Sequence, residues 1–158
     1  MTAARDDILS LDAGPAKPLA ASERAAMGEA LRLAGLPADD LDDAGVRAFA
    51  FADRDGALVG YGGLEIYGDD GLVRSIVVEP SRRRRGAGRA IVERLLAEAA
   101  ALGAERAYLL TTDARPYFER LGFAAMARSA APPAILATRQ AVGLCPASAA
   151  LMVRPTRP

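Results

Sequence analysis

The chain has 158 residues, 51% of them apolar, and its twenty basic residues balance twenty acidic ones. This length and balance favour one globular domain over 1–158 and argue against a protein held by charge on nucleic acid or a membrane. With one cysteine and no histidine, a disulfide within the chain, an imidazole base and a zinc site are excluded, and we expect no metal. No run approaches about eighteen apolar residues and the N-terminus lacks an apolar leader, so we expect a cytoplasmic protein.

Hydrophobic runs between turn residues predict four strands in the first half of the chain. They are 7–11, 46–51, 57–67 and a run that starts at Leu72 and ends at Pro80. Ser22 is a plausible N-cap for a helix that stops at Gly35, and the acidic stretch 37–43 reads as a helical turn or loop.

The second half alternates helices and strands. Apolar residues at three- and four-residue spacing predict a helix from about Ile91 to Gly103. The elements predicted after it are a strand at 106–111, a short helix at 114–121, a strand at 124–128, a helical segment at 132–142 and a strand at 148–154.

A basic turn joins the strand that ends at Pro80 to this long helix. Its residues are Arg83, Arg84, Arg85, Gly86, Ala87, Gly88 and Arg89. The start of a helix has unpaired N–H groups and a positive dipole end, and glycines let a ligand approach the backbone, so the turn predicts a pyrophosphate site. The glycine spacing excludes a Walker A loop and a dinucleotide fingerprint. A solvated or nucleic-acid-seeking charge run is the alternative, which the balanced net charge disfavours.

Arg-x-x-Gly-x-Gly after Val-Val-Glu-Pro resembles motif A of the GNAT acetyltransferase superfamily, and Ala-Arg-Pro-Tyr-Phe-Glu-Arg-Leu-Gly-Phe at 114–123 resembles a second motif of the same superfamily. The resemblance implies an α/β (α+β) fold, with a mixed, mostly antiparallel sheet of six to seven strands and helices on both faces. It also implies acetyl-CoA as cosubstrate. The residues expected to contact it are Ile76, Val77, Val78, those of 83–89, and Phe118, with a backbone N–H of 76–78 serving the oxyanion.

Tyr117 and Phe118 depart from the superfamily pattern. The tyrosine that protonates the leaving thiolate in that pattern falls on Phe118, and Tyr117 takes the place of a phenylalanine. Adjacent helical residues point about 100° apart, so the two cannot simply exchange roles. We expect Phe118 to pack against the thiol end of the coenzyme, while Tyr117 is either the general acid or a core residue. The substitution leaves a second function open, a CoA-binding sensor or regulatory module without turnover.

A four-residue turn at 68–71 predicts that Glu65 lies opposite Arg74, on a polar face that also holds Tyr61 and Tyr67. Glu65 is either the partner of a cross-strand ion pair or a catalytic residue that binds substrate or accepts a proton. Without a histidine, deprotonation of the attacking amine falls to Glu65, an ordered water or solvent. Cys145 is expected to be structural, so we predict direct transfer without an acyl-enzyme.

The acceptor is predicted from two further resemblances. Leu-Thr-Thr-Asp-Ala at 110–114 with the motif that follows resembles the acetyltransferase domain of N-acetylglutamate synthases, and the segment 133–149 resembles small N-acetyltransferases encoded with arsenic-resistance genes. They imply acetylation of a glutamate-like amino acid, arsinothricin and phosphinothricin included. The candidate acceptor-binding residues are Arg74, Ser75, Arg128 and Arg139, since arginine forks bind carboxylates, although each could be an ordinary surface arginine. We expect a small-molecule amine as partner, no nucleic acid or membrane, and leave a homodimer open.

Overall fold

The computed structural model of the protein describes residues 13–83 and 86–158, so the strand predicted at 7–11 lies outside the described residues. The described strands are β1 (Lys17–Pro18), β2 (Arg47–Ala52), β3 (Leu58–Tyr67), β4 (Asp70–Val78), β5 (Arg106–Thr111), β6 (Ala124–Met126) and β7 (Ala150–Pro155). The described α-helices are α1 (Arg24–Leu33), α2 (Ala87–Ala101), α3 (Arg115–Arg120) and α4 (Pro133–Leu136), and a π-helix covers Gln140–Leu144.

These strands form one mixed sheet in the order β1-β2-β3-β4-β5-β7-β6, which confirms the predicted fold class. Every neighbouring pair is antiparallel except β4 and β5, which run parallel. A parallel pair needs a crossover, and the basic turn with α2 provides it.

The sheet has a core on each face. Phe49 and Phe51 pack in the core built on α2, whereas Ala48 packs with α1 on the opposite face. On β4, Leu72 joins a third apolar cluster with Ile135 of α4, so α1 and α4 cover the same face of the sheet. This alternation places polar β4 residues between two apolar clusters on the α1 face.

The register predicted for the hairpin of β3 and β4 is wrong. Glu65 lies opposite Leu72, and Arg74 lies opposite Gly63. The strands continue to a Tyr67–Asp70 pair, so the turn has two residues instead of four, with Gly68 at φ 62°. Glycine accepts this positive φ without strain, and the tighter turn moves the register by two residues while the side chains keep their faces.

The helical segment predicted at 132–142 is split. The helix α4 ends at Leu136, and the π-helix begins at Gln140. Between them the Thr138 hydroxyl donates to the Ile135 carbonyl at 2.8 Å and accepts from the Ala141 N–H at 3.3 Å. A threonine that bonds the backbone locally competes with helical hydrogen bonds, which accounts for the break.

Candidate active site

The parallel strands β4 and β5 separate after three residue pairs. Pairing runs from Asp70–Arg106 to Leu72–Tyr108 and does not continue to Val73 and beyond. Among the described strands, β3 is therefore the only sheet neighbour of the C-terminal part of β4, which includes Ile76, Val77 and Val78. A cleft opens between two strands that share a sheet, and the unpaired edge of β4 faces it.

A β-bulge lies on β4 at the start of this cleft. Gly63 pairs with Arg74 and Tyr61 with Val77, so Ser75 and Ile76 together oppose the single residue Gly62. Ser75 has φ 56°, the one described non-glycine residue with positive φ. Such backbone costs about 1–3 kcal/mol and is retained where its surroundings impose it, often at functional sites.

Arg74 is held by two buried carboxyl groups. Its Nη1 donates to Asp40 Oδ2 at 2.6 Å and to Glu65 Oε2 at 2.9 Å, and its Nη2 donates to Asp40 Oδ1 at 2.6 Å. The side chains of Arg74 and Asp40 are 2% exposed and that of Glu65 is 9% exposed. The predicted Glu65–Arg74 pair therefore forms diagonally across the hairpin, but as part of a buried cluster that also contains Asp40.

Neighbouring polar groups complete this buried cluster. The Tyr67 hydroxyl donates to Glu65 Oε1 at 2.5 Å, and Gln140 Nε2 donates to both Asp40 oxygens at 3.2 Å. The Cys145 thiol donates to Gln140 Oε1 at 3.3 Å, which leaves Cys145 with a structural partner. Glu65 thus has both oxygens occupied, one by a phenol and one by a guanidinium.

Burial and charge shift the pKa values of these groups in different directions. Burial raises the pKa of Asp40, but the hydrogen bonds and charge of Arg74 outweigh it and hold that pKa below its ordinary value of 3.8. Burial raises the pKa of Tyr67, and its hydrogen bond to Glu65 raises it further. Burial raises the pKa of the Cys145 thiol, with the Asp40 charge adding to the effect. The thiol and the phenol therefore stay protonated near neutral pH.

A small cavity adjoins the cluster where β4 and β5 separate. Its volume is about 70 Å³, and it is lined by Leu36, Pro37, Leu72, Val73, Arg74, Ser75, Leu110, Gln140 and Cys145. Five of these lining residues are apolar, and the polar ones are Arg74, Ser75, Gln140 and Cys145. A second cavity of about 80 Å³ lies between α1 and the end of β4, with Leu33, Tyr61 and Arg83 among its lining residues.

The basic turn leads into α2 as the sequence predicts. Gly86 is the N-cap with φ 75°, Ala87 is buried, and the side chains of Arg83 and Arg89 are exposed. Arg83 Nε lies 3.4 Å from the Val78 carbonyl, and Arg84 and Arg85 lie outside the described residues. The N–H groups of the first turn of α2 have no partner within the helix, so they are available to an anion.

Tyr117 and Phe118 occupy different environments on α3. Phe118 packs edge-to-face on Phe123 with ring centroids 5.8 Å apart, against the core built on α2. The Tyr117 hydroxyl reaches the start of α2, where a Cβ added to Gly88 would lie 2.6 Å from it and 3.7 Å from a Val78 methyl. Burial raises the pKa of Tyr117, partly offset by Arg120 and Arg89. Gly88 therefore lets the Tyr117 hydroxyl approach the first turn of α2 closely, whereas an added Cβ at Gly86 would meet no atom within 4 Å.

The other two predicted arginines lie at the C-terminal elements. Arg128 donates to the carbonyls of Ala141, Pro146 and Ala149 at 3.1–3.3 Å. Arg139 is exposed and pairs with Asp43 at 2.9 Å, directly before Gln140 in the chain. Arg128 thus uses its donors to hold the segment between α4 and β7, whereas Arg139 lies at the surface and does not line the cavity.

Sequence reasoning missed Asp40 and Gln140. Asp40 is one of four aspartates in the stretch 39–43, and nothing in that stretch shows which one turns inward. Gln140 comes into contact with it across 100 residues of chain. Within residues 13–83 and 86–158, no group of three His, Cys, Asp or Glu could hold a metal ion. No helix in the described part of the chain is long and apolar enough to cross a membrane.

Asp40→Asn tests the buried cluster through its pH dependence. A folded-state pKa below 3.8 means that the Asp40 carboxylate stabilises the protein above that pH and loses this effect as the pH falls through the folded-state value. We expect the substitution to lower the free energy of unfolding by about 3 kcal/mol at pH 7, with the difference from wild type narrowing only below pH 3.8. Urea unfolding at several pH values measures this.

The matched control is Asp70→Asn, which breaks the Asp70–Arg106 pair at the other end of β4, where the arginine side chain is 52% exposed. This control should cost less than about 1 kcal/mol. A difference between wild type and Asp40→Asn that is equally large at pH 7 and pH 3 would contradict an ionised Asp40.

The family model described as Acetyltransferase (GNAT) family matches residues 17–123 of the chain. The amino-acid acetyltransferase of Mycobacterium tuberculosis is 39% identical over 69 residues, which cover 43% of this chain and 39% of that protein. N-acetylglutamate synthase from Neisseria gonorrhoeae, solved with coenzyme A and N-acetyl-glutamate, has a TM-score of 0.69 and 19% identity, over 92% of this chain and 35% of that one. Rv2747 from Mycobacterium tuberculosis, solved with CoA and NLQ, has a TM-score of 0.67 and 20% identity, over 90% of this chain and 99% of that one.

The chain thus spans well under half the length of the curated relative and of the synthase. The likeness to the two solved structures establishes the shared fold. The family match extends from β1 to the residue before β6, and so includes the bulged strand, the basic turn and α3. The chain belongs to the GNAT acetyltransferase family.

Proposed function

We propose that this GNAT N-acetyltransferase transfers the acetyl group of acetyl-CoA to the amino group of a small, glutamate-like amino acid. The observation that carries the proposal is the cleft between β4 and β5, with a glycine-opened helix start on one side and, on the other, a small cavity with a few polar side chains in a mainly apolar wall. A thioester placed in the cleft would therefore have an anion site at one end and an amine site at the other.

The residues present fit the coenzyme. We propose that the N–H groups of 86–89 and the arginines of the basic turn hold its pyrophosphate, because a helix N-terminus attracts anions and Gly86 leaves the backbone open. The unpaired edge of β4 at Ile76, Val77 and Val78 would hydrogen-bond the extended arm of the coenzyme as an added strand does. Bound there, acetyl-CoA supplies an activated acetyl group with a thiolate as leaving group.

The chemistry of direct transfer fits the residues at the cleft. A neutral amine attacks the thioester, a backbone N–H at the end of β4 stabilises the oxyanion, and Tyr117 protonates the thiolate. Tyr117 is suited to this role because burial raises its pKa and keeps the phenol protonated. Phe118 would support the coenzyme indirectly, through the edge-to-face contact with Tyr117 at 5.3 Å between ring centroids.

The sequence leaves two roles open for Glu65, ion-pair partner or catalytic residue, and we propose the first, in which Glu65 holds Arg74. Its two carboxylate oxygens already accept from Tyr67 and Arg74, and it does not line the cavity. Ordered water or solvent would then take the proton of the attacking amine.

The acceptor class rests on the relatives and on the size of the cavity. The relatives include an amino-acid acetyltransferase and a synthase solved with N-acetyl-glutamate, which supports a free amino acid as acceptor. A cavity of about 70 Å³ fits the amino end of such a molecule. We propose that Arg139 binds the acidic group, because Arg128 and Arg74 spend their donors within the protein and Arg139 has one exposed partner. Arsinothricin and phosphinothricin are the glutamate analogues to include in a panel.

Gly88→Val tests the coenzyme side. The added side chain collides with the Tyr117 hydroxyl and fills the space beside the first turn of α2. We expect acetyl-CoA affinity, measured by calorimetry, to fall at least about tenfold. The loss of folding free energy should be too small to explain this fall in affinity. Ala97→Val adds the same side chain on an exposed part of α2 and should leave affinity unchanged. Equal affinity in the Gly88 variant and in wild type would contradict the assignment.

Tyr117→Phe tests the proposed acid. Removing the hydroxyl should lower kcat by ~10²–10⁴-fold and change acetyl-CoA affinity little, since the ring that packs on Phe118 remains. Turnover within twofold of wild type would show that solvent protonates the thiolate.

Arg139→Ala tests the acceptor class in a thiol-release assay on a panel of amino acids. We expect glutamate-like amines to be the best acceptors of the wild-type protein, and their KM to rise about 10–100-fold in the variant with the KM for acetyl-CoA unchanged. Arg106→Ala removes an exposed arginine from another ion pair and is the control. If neutral amines are consistently better acceptors, the acidic class is wrong while the acetyltransferase assignment stands.

A further inference from the structure

All three side-chain nitrogens of Arg74 donate hydrogen bonds to groups within the protein. The Nη1 and Nη2 atoms bind Asp40 and Glu65, and Nε donates to the Ser75 hydroxyl oxygen at 3.1 Å. These bonds use four of the five N–H groups of the guanidinium, so it has no pair of free N–H groups left for a substrate carboxylate. Arg74 is therefore placed to orient its neighbours.

Ser75 is the neighbour that Arg74 orients toward the cavity. Its hydroxyl oxygen accepts from Arg74 Nε, so the hydroxyl proton and one lone pair are left to point elsewhere. Ser75 lines the cavity of about 70 Å³, at the bulge where β4 leaves β5. The positive φ of Ser75 fixes where its Cβ points, and the hydrogen bond from Arg74 fixes the hydroxyl rotamer.

The charges around Ser75 favour an amine over an acid in this cavity. Two carboxyl groups, Asp40 and Glu65, face the single guanidinium of Arg74. Neither of these carboxyl groups lines the cavity; the polar side chains in its wall are those of Arg74, Ser75, Gln140 and Cys145. The remaining lone pair of the Ser75 hydroxyl in the wall, with two carboxyl groups to one guanidinium behind it, suits a group that donates hydrogen bonds, as an amino group does.

We propose that Asp40 is a positioning residue for the acceptor amine: it holds Arg74 so that Arg74 Nε fixes the Ser75 hydroxyl, and Ser75 binds the amino group in the cavity. The proposal rests on the N-acetyltransferase function proposed above. Asp40 reaches the active site from the loop after α1, 34 residues before Arg74. Gln140 keeps Asp40 in place by donating to both of its oxygens.

A purely structural role for Asp40 makes a different prediction from a positioning role. Asp40 also ties the loop after α1 to the sheet, so any Asp40 variant loses stability. A positioning role that acts through Ser75 has a kinetic effect only while the Ser75 hydroxyl is present. A double-mutant cycle between Asp40 and Ser75 separates the two roles.

The experiment measures steady-state kinetics and urea stability for wild type, Asp40→Asn, Ser75→Gly and the double variant, with the best acceptor from the amino-acid panel. Glycine removes the hydroxyl and accepts the positive φ at position 75. Each single variant should lower kcat/KM for the acceptor about 10–100-fold, with the KM for acetyl-CoA within twofold of wild type. The double variant should be no worse kinetically than Ser75→Gly alone, while Asp40→Asn destabilises equally in both backgrounds.

Asp70→Asn serves as the kinetic control, because it removes a carboxylate from an arginine pair on the same strand but away from the cavity. If Asp40→Asn does not fold, Arg74→Lys takes its place: it keeps the charge beside Asp40 and Glu65 but loses the Nε donor to Ser75. We then expect Arg74→Lys to lower kcat/KM for the acceptor by the same factor in the wild-type background and not to lower it in the Ser75→Gly background.

The proposal is overturned if the two single-variant losses in kcat/KM multiply in the double variant, because Asp40 then acts independently of Ser75. It is also overturned if the losses for acceptor and for acetyl-CoA are equal. A wild-type protein that acetylates no amine would instead overturn the proposed function, and the role of Asp40 with it. An active wild type with no coupling between Asp40 and Ser75 overturns this inference alone.

Discussion

The buried ion cluster of Arg74 with Asp40 and Glu65 is the interaction on which the geometry of the cleft depends. Leaving a charge unpaired in the interior costs several kcal/mol, so the three side chains must stay together once the sheet has formed. Their mutual contact joins the hairpin of β3 and β4 to the loop after α1, and Gln140 joins them to the C-terminal segment. Parts of the chain 100 residues apart are thereby held around one point on β4.

That point is also where β4 changes partners. Before it, β4 is an interior strand between β3 and β5, and after it β3 is the one described strand that pairs with β4. The bulge at Ser75 marks the change of partner. The cavity adjoins β4 at this bulge, and the glycine-opened start of α2 lies near the C-terminal end of β4. If β4 and β5 instead separated over many residues, backbone N–H and C=O groups of both strands would be exposed without a binding partner. Here the unpaired edge faces a cleft that has the cavity at one end and the start of α2 at the other.

Local sequence signals sufficed for strands β2 to β7, for α2 and for the basic turn, because periodicity, proline and glycine act within a few residues. The short strand β1 has too few residues to show a period. The hairpin register was misjudged because the choice between a two- and a four-residue turn at Gly68 depends on cross-strand packing. Asp40 and Gln140 could not be assigned because their roles come from contacts across 34 and 100 residues. Glu65 and Arg74 were paired correctly by charge and face, although their burial depends on α1 and α4 covering that face.

A crystal structure of the protein with coenzyme A and its best acceptor amine tests the account most directly. The account predicts the pyrophosphate at the first turn of α2, the sulfur between the diverging ends of β4 and β5, and the amino nitrogen within hydrogen-bond distance of the Ser75 hydroxyl. An amine bound instead in the second cavity, between α1 and the end of β4 beside Tyr61, would contradict it.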